Sequence, residues 1–300
     1  MTMRVRLAQT LLFVTALLLE IPPARAAALP VAEINHVLGE KGESLPNGVV
    51  RYSWLRTDLK VVIEHTAVHP ALALQSRVTF MPAHDGSALV TGELVATQEE
   101  ARRVIDVLDS SPLTITALCD HLCRESPRLT FVHFVGEGKA LTLATTLREV
   151  LKATATPLRP APAAIPAMPA KWVDEMREEL GYSGRYQNGV LSIVVPRSEQ
   201  VRMSGEVMPA SMGVATRLNF QEAGHGRLAG TGEFALVAGE VSRVLYTLSN
   251  NHIEVTALSG HLLKESPRLF FLHFWAVGTP FDLARALRAA LDRTDTGKEQ

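Results

Sequence analysis

Three hundred residues, 47% of them hydrophobic and 20% charged, with a formal net charge of −1, place this chain outside the low-hydrophobicity, high-charge regime of disordered proteins. Lys and Arg total 30 against 31 acidic residues, and no basic stripe interleaves with aromatic residues, so no nucleic-acid partner is expected.

The N-terminus reads as a secretory signal peptide over residues 1–26. Arg4 and Arg6 precede the apolar run Leu11 to Leu19, and Ala24-Arg25-Ala26 offers an A-x-A cleavage site before Ala27. That run is too short to cross a bilayer, and no cysteine near the cut could accept a lipid. The mature protein is therefore expected to be periplasmic or secreted, with no membrane span.

Helical spacing at Val31-Ile34-Leu38 and at Trp172-Val173-Met176-Leu180 ends before Gly39 and Gly181, residues suited to a left-handed cap. Strand-like segments follow at Val50 to Leu55, Lys60 to Glu64, Gln75 to Met81 and Ser87 to Ala96, with counterparts that include Val190 to Val195 and Thr216 to Gln221. Gln98 to Ser110 has the pattern of an amphipathic helix, which Gly239 to Leu248 repeats. A strand at Leu113 to Cys119, a loop through Pro127, a strand at Leu129 to Val135 and a helix at Ala140 to Leu151 complete the first half.

Thr116 to Leu129 reads TALCDHLCRESPRL and Thr256 to Leu269 reads TALSGHLLKESPRL, ten of fourteen positions agreeing at an offset of 140. A unit recurring at this period is a whole small domain, so the chain is a tandem duplication. Its halves are residues 27–155 and 171–300, joined by a Pro/Ala-rich linker over 156–170 whose five prolines favour extended backbone. The order of elements implies an α+β fold in each half, a mainly antiparallel sheet with helices on one face, for which a ferredoxin-like arrangement is one candidate topology.

The Thr-Ala-Leu segment, the His-Leu pair and the Pro-containing turn resemble the LppY/LpqO-like family of exported bacterial proteins, whose activity is not established. The resemblance covers both halves. The family's motif looks like His-x-His-Leu, whereas this chain has Cys119-Asp120-His121-Leu122 and Ser259-Gly260-His261-Leu262, so one histidine is replaced in both copies.

Retention in both copies selects His121, Glu125 and Arg128, with His261, Glu265 and Arg268, as candidate ligand-binding residues. The guanidinium fork suits a small anion, although Glu and Arg could equally pair across the turn and hold the loop. Cys119, His121 and Cys123 would share one face if the strand continued through them, and thiolate and imidazole suit zinc or copper. The second copy has Ser259 and Leu263 at the thiol positions, which counts against that set. A Cys119–Cys123 disulfide is opposed by the reach of an extended strand.

His133 and His273 occupy equivalent strand positions, FVHF and FLHF. A flat hairpin would leave them about 13 Å from the loop end, so they are expected to be core histidines apart from the loop site. Thr91-Gly92-Glu93 and Thr231-Gly232-Glu233 suggest a close backbone approach at glycine and a solvated carboxylate beside it, with acid–base chemistry as the alternative. No G-x-S-x-G, H-E-x-x-H, P-loop or dinucleotide motif occurs, and no catalytic residue is assigned. The expected function is non-enzymatic binding of a metal ion, a small anionic ligand or an extracytoplasmic protein at the repeated loops. The alternative is an extracytoplasmic hydrolase built from Ser126 or Ser266 with the same histidines and glutamates.

Overall fold

The computed structural model describes residues 28–158 and 170–297; the expected signal peptide and most of the expected linker lie outside them. The first half runs α1 (Val31–Leu38), β1 (Glu43–Ser44), β2 (Val50–Leu55), β3 (Val61–Ile63), β4 (Thr66–Val68), α2 (Pro70–Ala73), β5 (Gln75–Pro82) and β6 (Ala88–Thr97). It continues through α3 (Gln98–Asp109), β7 (Leu113–Cys119), β8 (Glu125–Ser126), β9 (Leu129–Gly138) and α4 (Ala140–Lys152). The second half runs α5 (Lys171–Leu180), β10 (Arg185–Gln187), β11 (Val190–Val195), β12 (Val201–Met203), β13 (Glu206–Met208), β14 (Thr216–Gly224) and β15 (Arg227–Leu236). It closes with α6 (Ala238–Asn250), β16 (Glu254–Ser259), β17 (Phe270–Gly278) and α7 (Pro280–Leu291).

Local chemistry sets these boundaries. Gly39 and Gly181 end α1 and α5 at φ 68° and 76°, the left-handed region that a side chain disfavours. At the start of α3 the Thr97 hydroxyl accepts from Glu100 N and the Glu100 carboxylate accepts from Thr97 N, a reciprocal cap that satisfies two otherwise orphaned donors.

Each half is one antiparallel six-stranded sheet, ordered β1-β2-β5-β6-β9-β7 and β10-β11-β14-β15-β17-β16. Strand β9 pairs antiparallel with both β6 and β7, so β6-α3-β7 is a split β-α-β unit with β9 inserted. The fold is ferredoxin-like to that extent, with β5 rather than a strand after α4 at the outer position.

Alternation along β9 explains how the halves assemble. Val132 and Phe134 face the helices, packing with Val104 and Leu147, whereas Phe131 and Val135 face the other way. On β17, Leu272 and Phe274 face their helices while Phe271 and Trp275 do not. Those opposite faces meet: Met81 and Leu89 cluster with Met203, Leu262 and Phe271, and Val95, Leu122 and Phe131 cluster with Val190 and Trp275. The result is four layers, helices, sheet, sheet and helices. Since a fully buried Leu, Met or Phe is worth about 1.5–3 kcal/mol, the inter-sheet layer stabilises both halves together.

Two hairpin arms lock the layers. The β3–β4 arm pairs with β8 of its own loop and hands the His69 N–H to Gln221 Oε1 at 2.8 Å in the other half, while Gln221 Nε2 donates to Ala67 O at 2.8 Å. The β12–β13 arm reciprocates, bridging Arg202 to Ser266 and accepting the His84 N–H on Glu206 Oε1 at 2.7 Å. Among the described residues no helix is long and apolar enough to cross a membrane.

Candidate metal centre

The middle of the inter-sheet layer is polar. Cross-strand register aligns Arg77 on β5 with Glu93 on β6 and Glu93 with His133 on β9; the second sheet aligns Arg217, Glu233 and His273 in the same way. Each sheet thus presents an Arg–Glu–His row, and the two rows face each other.

Glycine makes room beside each glutamate. A Cβ at Gly92 would lie 2.1 Å from the Phe134 ring, and one at Gly232 would lie 2.0 Å from Arg217 O, so neither position tolerates a side chain without displacement. The close approach expected at these glycines is what the structure shows. The solvated reading of the glutamates is corrected: Glu93 and Glu233 keep 21% and 9% side-chain exposure, because the opposite sheet covers them.

The repeated loop supplies the remaining histidines. Strand β7 ends at Cys119, and the chain turns back under the sheet so that the His121 ring stacks on Phe131 at 3.9 Å; His261 lies on Phe271 at 4.1 Å. The adjacent Leu122 and Leu262 are buried in the inter-sheet clusters and anchor each turn. A register shift at Thr116 and at Thr256 frees both hydroxyls from their sheets. Thr116 Oγ1 then donates to His261 O at 2.6 Å and Thr256 Oγ1 to His121 O at 2.7 Å, so each copy's threonine holds the other copy's histidine loop.

Four histidines meet as a result. His121 Nε2 lies 3.0 Å from His133 Nε2, and His261 Nε2 lies 3.1 Å from His273 Nε2. The two pairs stack on each other, His121 over His273 and His133 over His261, both with centroids 3.7 Å apart. Glu93 Oε2 is 3.9 Å from His121 Nδ1 and 3.8 Å from His133 Nε2, and Glu233 Oε2 is 3.5 Å from His261 Nδ1 and 4.0 Å from His273 Nε2. The expectation that His133 and His273 stand apart from the loop is therefore corrected. They are buried, as core histidines are, but the loops fold back over the sheet and close the distance.

Burial sets the charge state. It lowers His133 to about 4 and His273 to about 3, and with the neighbouring histidines it holds His121 and His261 well below the ordinary histidine range. All four are neutral at pH 7. Burial raises Glu93 and Glu233 while the guanidiniums of Arg77 and Arg217 pull the other way, and it pushes Arg77, hemmed in by Arg217, down to about 9.

Of the set Cys119, His121 and Cys123, the structure keeps only the first two together. Cys119 shares the group with His121, His133 and His261, all donor atoms within 4.8 Å of one another, and Glu233, His261 and His273 form a second such group. Cys123 lies past the strand end, where its thiol faces Thr256 O at 3.6 Å. Strand β7 ends at Cys119, so the continuation on which a shared face depended is not present. Both thiols are free. Burial pushes Cys119 up to about 12, so it is a neutral thiol facing Ser259 Oγ at 3.7 Å.

Glu125, Glu265 and Arg268 hold the loop backbone, whereas Arg128 pairs with side chains. Glu125 Oε1 accepts from Leu129 N at 3.2 Å, Glu265 Oε1 from Leu269 N at 3.0 Å, and Arg268 Nη1 donates to Leu262 O at 2.8 Å. Arg128 is half exposed and pairs with Asp120 at 3.0 Å. None of the four lines the two cavities, each of about 60 Å³, that flank the histidines. Arg77 and Arg217 did not stand out in the sequence, where their signal was an arginine matched at offset 140 on the more polar face of a strand, beside Gln75 and Thr79 in one copy and Asn219 and Gln221 in the other.

No curated protein matches the chain. Among solved structures, a trimeric bacterial microcompartment shell protein, PduB, is similar at 8% identity over 91% of each chain, with a TM-score of 0.20. A family model described as a domain of unknown function (DUF1259) matches residues 32–153 and again residues 174–293, so the chain belongs to that family and carries its domain twice.

Proposed function

We propose that the protein binds a transition-metal ion at the four-histidine centre shared by its halves, as an exported binding protein of LppY/LpqO-like type that acts outside the cytoplasm. The observation that carries this reading is the pair of Nε2–Nε2 separations, 3.0 and 3.1 Å, between buried neutral imidazoles. Two imidazole nitrogens on one ion, each about 2.0–2.1 Å from it and roughly 90–110° apart, stand about 2.9–3.4 Å from each other. Neutral imidazole is the ligating form, and histidine with carboxylate and one thiol fits zinc or copper. Glu93 and Glu233 stand where carboxylates orient metal-bound imidazoles or complete the coordination.

Chelator-stripped mature protein titrated with zinc and with copper, with bound metal counted by elemental analysis, tests the proposal. At least one tightly held ion per chain is expected, its number separating one ion held by all four histidines from one ion per pair. His133→Gln combined with His273→Gln should abolish uptake while the fold persists. Uptake unchanged in that variant, or none in the parent protein, refutes the reading.

A further inference from the structure

Arg77 and Arg217, both partly buried, differ from Arg56 and Arg197. Arg56 makes two hydrogen bonds to Glu100 at 2.8 and 3.0 Å and Arg197 makes two to Glu240 at 2.8 and 3.1 Å, each also binding a second carboxylate. Arg77 has no such partner: its Nη2 donates to Gln75 Oε1 at 2.5 Å, and its buried Nε has no hydrogen-bond partner among the described residues. Arg217 comes no nearer than 3.7 Å to the Glu233 carboxylate. Two cations thus sit together in the inter-sheet layer with donors unspent, an arrangement that costs free energy unless an anion satisfies it.

Access is built in. Both guanidiniums line the two small cavities beside the histidines, and both also form the floor of an open cleft of about 370 Å³ between β2 and β11. Arg51 and Arg185 stand in the same cleft, sharing Glu43 at its mouth at 2.8 and 3.3 Å. Gln75, Asn219 and Ser192 add neutral polar groups along the wall. An anion entering here meets four arginines against the single carboxylate of Glu43 and ends against Arg77 and Arg217, with His121, His273 and the glutamates Glu93 and Glu233 behind them.

Charge balance names the ligand class. Two guanidiniums and two carboxylates cancel, so a divalent ion among the histidines leaves an excess of two positive charges that a dianion removes. We infer that Arg77 and Arg217 form the binding site for a phosphate-class dianion, inorganic phosphate or a phosphate monoester, held between the guanidinium pair and the metal centre. The guanidinium half of this site stands on its own geometry. The preference for a dianion and the contact of the anion with the metal rest on the metal-binding reading above.

Calorimetric titration with inorganic phosphate, with a small phosphate monoester and with acetate, on chelator-stripped and on metal-loaded protein, separates the two. Phosphate is expected to bind the stripped protein, to bind more tightly after metal loading, and to outcompete acetate. Arg77→Gln and Arg217→Gln should each weaken phosphate binding about tenfold or more, the loss expected for a charge-assisted hydrogen bond. Both should retain metal uptake. Arg77→Lys keeps the charge without the fork and serves where the glutamine variant does not fold; it should also weaken phosphate. Tighter binding of the monoester than of phosphate identifies an organic ligand, and equal binding identifies the free ion. Failure of metal uptake with phosphate binding intact removes the metal reading alone. Phosphate affinity unchanged in folded Arg77 and Arg217 variants that still take up metal overturns the anion site.

Discussion

Acid should unfold the metal-free protein well above the pH at which ordinary carboxylates titrate. The perturbation is protonation of the four central histidines. An unfolded histidine titrates near 6.5, whereas burial lowers His133 to about 4 and His273 to about 3 in the folded state. Below pH 6.5 the unfolded chain therefore binds protons that the folded chain refuses, and stability falls as pH drops. Each tenfold loss of proton affinity is worth about 1.4 kcal/mol, so His133 accounts for ~3 kcal/mol and His273 for ~5 kcal/mol by the time both have titrated. At pH 5 these two alone remove ~4 kcal/mol, a large share of the 5–15 kcal/mol typical of a folded protein. His121 and His261, lowered well below the usual range, act in the same direction. Glu93 and Glu233 act against them, because their raised folded values make the folded state take up protons as pH falls; Arg77, lowered only to about 9, stays cationic over this range. The net uptake on unfolding between pH 6 and 5 is thus at least about two protons, or a slope of ~3 kcal/mol per pH unit. Urea unfolding in the presence of chelator, followed by fluorescence of Trp54, Trp172 and Trp275 at half-unit steps from pH 7.5 to 5, measures that slope. An uptake below about one proton would refute buried neutral histidines.

Two further outcomes follow from the same contacts. Arg56 is fully buried and bonded to Glu100, itself an acceptor for Thr97 N and Ala155 N, so Arg56→Ala strands a buried carboxylate and should cost ~3–5 kcal/mol in a denaturant midpoint experiment. Cys119→Ser copies the residue that the second half carries and should change stability by less than about 1 kcal/mol. In cobalt-loaded protein it should remove a thiolate-to-metal absorption band, and absence of that band from the parent would show that Cys119 is not a ligand.

The elements of each half were legible because their local signals agree: Val50–Leu55, Leu113–Cys119 and Val190–Val195 fall where strand patterning put them, and Gly39 and Gly181 cap the helices they were expected to end. The centre was not legible from one copy, since distance along an extended hairpin said that His121 and His133 stand apart. The fold-back that joins them depends on Leu122, on the bulge at Thr116 and on Thr256 of the other half. One signal was nonetheless present. Phe131-Val132-His133-Phe134-Val135 is apolar on both faces apart from the histidine, and a strand apolar on both faces must be covered on both. Helices account for one cover only, so the second had to be the other half, which would have set His133 against its counterpart.

That requirement bears on what the duplication is for. A single repeat would expose Phe131, Leu122 and Met81 on its inner face together with Arg77, Glu93 and His133, so neither its stability nor its site is complete without the second. The tandem chain therefore does the work of a two-fold dimer, but with the freedom to let its halves differ. The residues that face the axis in pairs, Arg77 with Arg217, Glu93 with Glu233, His121 with His261 and His133 with His273, are the same in both copies, because each contributes half of one centre. Where the copies differ at the axis, Cys119 opposite Ser259, the change gives one side a soft donor that the other lacks. A symmetric dimer would have to carry both thiols or neither, whereas a covalent duplication can keep the shared ligands equal and make a single position distinct.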